Sequence, residues 1–167
     1  MEIIFKRKSI RNYSNKKVEG EKIEKILRAA MQAPTAGNQQ EWEFIVVDDK
    51  EVLHSLANVS PYSTFLKNAP LAIIVLGNKN RMIYPENWEQ DLGAACQNIL
   101  LEATYLNLGS VWLGVAPLVE RMNFIKNLFS LPENLIPFSI IGIGYPAKEI
   151  NSNNNRFDLT KVHFNKI

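Results

Sequence analysis

The sequence predicts an α+β domain of three layers (α/β/α), with helices on both faces of a central sheet. Three observations carry that class. Helical and strand-like segments follow one another in the order α, α, β, α, β, α, β, α, β with short connections. The segment "APLAIIVLGN" is a strand with a continuous apolar run, so neither of its faces is left for water. The helical pattern from Trp88 to Leu108 is apolar around most of its circumference, as a central helix must be.

Taken in order, Glu19 to Met31 places Ile23, Ile26, Leu27 and Ala30 at helical spacing with charges opposite. That helix stops at the Ala33-Pro34 step, because the residue before a proline is pushed out of the helical region. After the loop "APTAGNQQEW", the segment "EFIVVDD" reads as a strand and "KEVLHSLANV" as a short helix. The buried strand at 69–78 follows. In the long helix, Leu92, Ala95, Cys96, Ile99, Leu100, Ala103 and Leu106 line one stripe, which Gly93, Ala94 and Leu101 widen. Such a helix is either a domain's central core or a core plus a subunit interface. The remainder is a strand "SVWLGVAP", an amphipathic helix over Val119 to Leu128, a strand "PFSIIGIGYP" and an Asn-rich tail. With no internal repeat or linker, residues 1–167 are expected to form one domain.

Composition narrows the function. Apolar residues make up 46% and charged residues 22%, as in an ordinary globular chain, and the net charge of +2 argues against nucleic acid as the main partner. A single cysteine excludes an internal disulfide, the start "MEIIFKRKSI" is too short and charged for a secretory segment, and no run of about 18 apolar residues spans a membrane. The expectation is a cytoplasmic protein without a membrane partner.

Several chemistries lack their residues. "GIGYPA" has Ala147 where a dinucleotide fingerprint needs a third glycine, and it follows the last strand. There is no phosphate-binding P-loop and no Gly-x-Ser-x-Gly elbow. His54 and His163 are too few and too separated for a metal site or a triad, and Cys96 on the apolar stripe reads as core. No metal and no catalytic side chain are expected. An enzyme built this way leaves its chemistry to a cofactor.

Two stretches are left. In "RKSIR", Arg7 and Arg11 converge on either a helical or an extended backbone, and Ser9 joins them if the segment is extended. Two guanidinium forks and a hydroxyl suit a phosphate monoester; the alternative from these residues alone is a solvated basic face. In "APTAGNQQEW", Thr35, Asn38, Gln39 and Gln40 exceed what a connector requires. This is either an ordinary polar loop or a surface for a polar planar ligand.

The pair of stretches, Arg-x-Ser-x-Arg and then Pro-Thr-Ala-Gly-Asn-Gln-Gln-x-Trp-x-Phe about 25 residues later, resembles the nitroreductase-like family of FMN-dependent oxidoreductases. The likeness continues through "DLGAACQNILLEATYLNLGSVWLG" to "IGIGYPAKE". It implies a mixed, mainly antiparallel central sheet flanked by helices, and a homodimer with FMN at the subunit interface. It also implies that NADH or NADPH is the donor and that a small planar, electron-poor acceptor such as a nitroaromatic or quinone receives hydride by a ping-pong mechanism.

Residue by residue, the resemblance assigns Arg7, Lys8, Ser9 and Arg11 to the phosphate, ribityl chain and pyrimidine edge. Pro34, Thr35, Ala36 and Asn38 would approach the same flavin from the partner subunit, and the loop's polarity would then serve the flavin's amide-like edge. Trp112, Leu113 and Gly114 would bring backbone against the ring, with an N–H near N5, and Arg156 would close over the phosphate. Two departures stand out: Glu41 where the family commonly has proline, which would place a carboxylate near the site, and Asn154 where some relatives have a second basic ligand. The alternatives are a relative using FMN for dehalogenation, azoline oxidation or flavin fragmentation, or a flavin-binding protein without turnover.

Overall fold

In the computed structural model, which describes residues 2–148 and 156–167, α1 spans Ile3–Lys6, α2 Gly20–Ala30, β1 Trp42–Val47, α3 Lys50–Leu56, β2 Leu71–Asn78, α4 Trp88–Tyr105, β3 Gly109–Gly114, α5 Val119–Leu128 and β4 Leu135–Gly144. Every helix and strand expected between Glu19 and Pro146 is present, with ends displaced by a few residues. The last strand before α5 stops at Gly114 instead of continuing to Pro117, and α4 ends at Tyr105 instead of Leu108.

The four strands lie in the order β1-β2-β4-β3, and all three pairings are antiparallel. The parallel component expected of a mixed sheet is confined to an isolated bridge between Ser9 and Ser110. Strand β2 explains the layering. Its side chains alternate between two cores: Ala72, Ile74 and Leu76 meet Leu53 and Leu56 of α3 and Ile125 of α5, whereas Leu71, Ile73 and Val75 meet Ile26 of α2 and Leu92, Cys96, Ile99 and Ala103 of α4. Each buried Leu or Ile contributes roughly 1.5–3 kcal/mol, so neither helical layer can be removed cheaply.

In β4 the register shifts where Val75 pairs with Ser139 but Leu76 pairs with Pro137. Phe138, the extra residue, turns toward the α4 side and makes edge contacts with Trp88 and Trp112, ring centroids 5.7 Å apart in each case. Helix α2 is clasped to the far end of the sheet: Lys22 Nζ donates to the Leu106 carbonyl (2.9 Å) and to the Tyr145 hydroxyl (2.8 Å), and that hydroxyl donates to Glu19 (2.8 Å).

Strand β3 is an edge of the sheet. The segment after α1 runs alongside only its beginning, through Ile10 N donating to the Ser110 carbonyl at 2.9 Å. Gly109 permits that approach, because a Cβ there would stand 2.8 Å from Ile10 Cβ. Among the described residues, no helix is long and apolar enough to cross a membrane.

Cys96 is fully buried, its Sγ 3.1 Å from Ser139 Oγ, and burial pushes the thiol up to about 12. The core reading of this residue therefore predicts that a thiol reagent modifies Cys96 at the rate of global unfolding, with no faster phase in native buffer, as stopped-flow labelling across a urea series would show.

Candidate functional site

Residues Arg7 to Arg11 form an extended segment. Arg7 leaves α1 with φ −59° and ψ 125°, and Ser9 forms the bridge to Ser110. On this backbone Arg7, Ser9 and Arg11 share one face while Ile10 faces the α3/α5 core. Of the surrounding cations, Lys6 is paired with Glu2 (2.9 Å) and Lys16 with Glu19 (3.2 Å). Among the described residues neither Arg7 nor Arg11 is within ion-pair distance of a carboxylate. The row thus retains an uncompensated positive face.

Arg11 lines a cavity of about 350 Å³ together with Tyr62, Phe65, Val111, Trp112 and Leu113. Its floor is the free edge of β3. Because the Ser110 carbonyl points away from β4 to Ile10, the alternation of an antiparallel ladder turns the peptide groups of Trp112 and Gly114 outward as well. The Gly114 carbonyl is taken by Arg121 Nη1 at 2.8 Å. Above Gly114 there is open space: a Cβ would have only the Ala116 carbonyl oxygen, 4.0 Å away, as a neighbour. A planar group could therefore lie against this edge, with backbone N–H donors beneath it and Arg11 at its side.

The loop after α2 is built differently from what its composition suggests. Ala36–Asn38 is a single 3₁₀ turn, and Gly37 (φ 55°), Asn38 (φ 56°) and Gln40 (φ 48°) all adopt the left-handed region. Most of its polar groups are used within the protein. Thr35 Oγ1 accepts from Gln40 N (3.2 Å), and Gln40 Nε2 donates to the Asn38 carbonyl (3.4 Å). Gln39 is buried: its Oε1 accepts from both Ile83 N and Tyr84 N at 2.9 Å, and its Nε2 donates to Asp91 Oδ2 at 2.8 Å and toward Glu41 Oε1 at 3.2 Å. Asp91 Oδ2 also accepts from Ala36 N at 2.9 Å. The loop's polarity therefore serves its own shape first, which amends the expectation that it serves a ligand alone; Pro34 and Asn38 remain exposed.

Glu41, expected to put a carboxylate near the ligand, instead points into the protein and is 0% exposed. Burial, reinforced by the neighbouring Asp91 charge, raises its pKa. The structure brings Arg11, Trp112 and Leu113 together in one cavity, with Ser9 bridged to the same strand. Pro34, Thr35, Ala36 and Asn38 do not line that cavity, and neither does Arg156, which is exposed in the coil before Asp158. Asn154 lies outside the described residues. Sequence reasoning missed Tyr62, Phe65, Gln39 and Asp91. The first two sit in a segment with no motif, Gln39 counts in the sequence only among the loop's surplus amides, and nothing local marks Asp91 as its partner.

The sequence matches the family model described as the nitroreductase family over residues 4–61 and 57–145. A solved structure from Clostridium acetobutylicum, provisionally named an NADH oxidase, superimposes with a TM-score of 0.97 at 55% identity, covering 99% of each chain. An FMN-dependent nitroreductase from Clostridium difficile superimposes with a TM-score of 0.92 at 38% identity over 100% of each chain. A protein of Archaeoglobus fulgidus provisionally named an NADH dehydrogenase/NAD(P)H nitroreductase is 44% identical over 99% of this chain and 97% of its own.

A methyl group on Gly37 would meet both an unfavourable φ and the Tyr84 ring lying against it. Gly37→Ala is expected to cost about 1–3 kcal/mol in urea unfolding. Adding Tyr84→Ala should recover the steric share and leave the backbone share, so that the two substitutions combine non-additively.

Proposed function

The chain belongs to the nitroreductase family, and from that premise we propose that residues 1–167 form one FMN-binding domain of a cytoplasmic, homodimeric oxidoreductase that carries hydride from NADH or NADPH to a nitroaromatic, quinone or similar electron-poor acceptor. The observation that carries this reading is the cavity at the free edge of β3, where Arg11 meets Leu113 and the side chain and outward peptide group of Trp112. Its volume falls within the roughly 300–1,000 Å³ usual for small-molecule sites.

The donors on this chain fit FMN. The face made by Arg7, Ser9 and Arg11 offers charge-assisted hydrogen bonds suited to one terminal phosphate, and Lys8 and Arg156 would add positive charge there. Gly114 leaves room for a ring where any side chain would intrude. When bound, FMN supplies the hydride chemistry. Arg11 would hold the pyrimidine edge and favour the form bearing more negative charge. Tyr62, Phe65 and Trp112 exclude water from one flank and offer flat surfaces to an aromatic acceptor. One cavity receives donor and acceptor in turn, which makes the order of events ping-pong and explains a chain without a dinucleotide fingerprint.

The dimer follows from what one chain leaves incomplete. Pro34, Thr35, Ala36 and Asn38 do not line the Arg11 cavity and would reach the flavin from the partner subunit. A second, largely apolar hollow of about 410 Å³ lies on the outer side of α2 and α4, bordered by Ile3, Ala29, Leu101 and Tyr105. Phe5, Phe157 and Phe164 are each more than 70% exposed, surface that a lone domain rarely leaves open.

The test is purification and kinetics. FMN, not FAD, is expected in a particle of twice 19.0 kDa by light scattering, and NADH oxidation with a quinone is expected to give parallel double-reciprocal lines. A colourless monomer, or a flavin-loaded protein that does not turn over, would contradict the proposal. Arg11→Ala is expected to weaken FMN binding and to lower the bound flavin's reduction potential by about 30 mV, equivalent to about 1.4 kcal/mol for a two-electron couple. Dye-equilibrated reduction of fully loaded protein measures the shift, and an unchanged potential would leave Arg11 as an anchor alone.

A further inference from the structure

Among the described residues, the buried polar cluster behind the 36–39 turn holds two carboxyl groups and no cation. Glu41 is fully buried and Asp91 is 7% exposed. The influences on Glu41 are its burial, its own backbone N–H, Asp91 from α4 and the Gln39 amide, with no positive charge among them. Glu43, the next acid on β1, is engaged by Arg81 at 3.6 Å and by Asn78 Nδ2 at 3.1 Å. From the 83–84 segment come the Tyr84 carbonyl, 3.4 Å from Gln39 Nε2, and the two N–H groups on Gln39 Oε1. No group of three or more His, Cys, Asp or Glu residues among those described could hold a metal ion here.

The hydrogen bonds identify which carboxyl is ionised. Gln39 cannot be turned over, because its oxygen already accepts from two backbone N–H groups, so its amide nitrogen must face the acids. Asp91 Oδ2 receives two N–H donors, from Ala36 and Gln39, and lies in the first turn of α4, where the helix favours an anion. Glu41 receives one longer bond on Oε1, and its buried Oε2 has no partner. Two buried anions flanking a single amide, with no cation among the described groups around them, are strongly disfavoured. A proton on Glu41 removes the repulsion from its neighbour Asp91 and gives the Glu41 carboxyl a donor of its own.

We propose that Glu41 and Asp91 share one proton, held on Glu41, and that this proton fixes Gln39 and with it the Thr35–Gln40 turn, making Glu41 and Asp91 positioning residues for the ligand site. The consequence for the site rests on the flavin reading above. The sign follows from the raised pKa of Glu41. Below the unfolded-state value the carboxyl is protonated whether the chain is folded or not, and the cluster is intact at no cost. As pH rises toward the folded-state value, the unfolded chain ionises freely while the folded one must either keep its proton or bury a second charge. Stability is therefore lost with rising pH.

Glu41→Gln keeps the shape and a donor but cannot ionise. Apo protein is expected to lose folding equilibrium constant, relative to Glu41→Gln, by about tenfold or more as pH rises from about 5 to about 9. FMN affinity is expected to fall with pH in the wild type while the variant's profile stays flat, and Asp91→Asn should lower the titration point of Glu41. Carbon-13 NMR of glutamate-labelled wild type is the companion measurement, and it requires no variant to fold: Glu41 should titrate above every exposed glutamate. Parallel stability profiles, or a Glu41 resonance that titrates with the exposed glutamates, overturn the shared proton whether or not flavin binds. A pH-dependent stability difference in a protein that takes up no FMN supports the shared proton and overturns the flavin reading instead.

Discussion

Strand β2 can show neither face to water, and the remaining architecture follows from that constraint. A strand apolar on both sides must be covered twice, so α2 and α4 pack on one face and α3 and α5 on the other. Its two neighbours, β1 and β4, complete its hydrogen bonding, which pushes β3 to the margin of the sheet. A margin strand has peptide groups to spare. Here the segment carrying Ser9 and Ile10 covers only the first of them, at Ser110, Arg121 takes the Gly114 carbonyl, and the outward peptide group of Trp112 is left at the Arg11 cavity. The candidate site is thus a by-product of sealing the core.

The elements that were legible in the sequence are those set by local periodicity. The helix of residues 20–30, the apolar strand and the broad stripe of α4 each carry a pattern that tertiary contacts reinforce. The extended form of Arg7 to Arg11 was one of two open readings, and it is decided by Ile10: only in that form does Ile10 reach the core while its arginine neighbours face out. Phe138 was not legible, because a single extra residue in β4 reverses which side it faces and nothing in "PFSII" announces it.

The loop at 33–42 shows why composition alone misleads. Counted as a list, Thr35, Asn38, Gln39, Gln40 and Glu41 look like a surface prepared for a polar ligand. Three left-handed residues reverse the chain tightly enough to send Gln39 and Glu41 inward, where they meet Asp91, fifty and more residues away in sequence. Pattern reading places side chains by period, and a turn with positive φ at Gly37, Asn38 and Gln40 has none. The family resemblance singles out the stretch, but how each residue is used depends on contacts that no local window contains.

Helix α4 connects these parts. Asp91 in its first turn holds the 36–39 turn, its central residues form one of the two cores, and Leu101 and Tyr105 near its end border the apolar hollow on the molecule's outer side. Over 18 residues the helix is about 27 Å long and behaves as one rigid body. A buried hydrogen-bonded group is costly to displace, and an apolar hollow favours a covering surface. The Tyr105 end that borders the hollow and the Asp91 end that holds the turn therefore belong to one continuous helix. The position of the turn is a property of how α4 is seated, which links the geometry of the site to the outer face of the protein through one element instead of a chain of side chains.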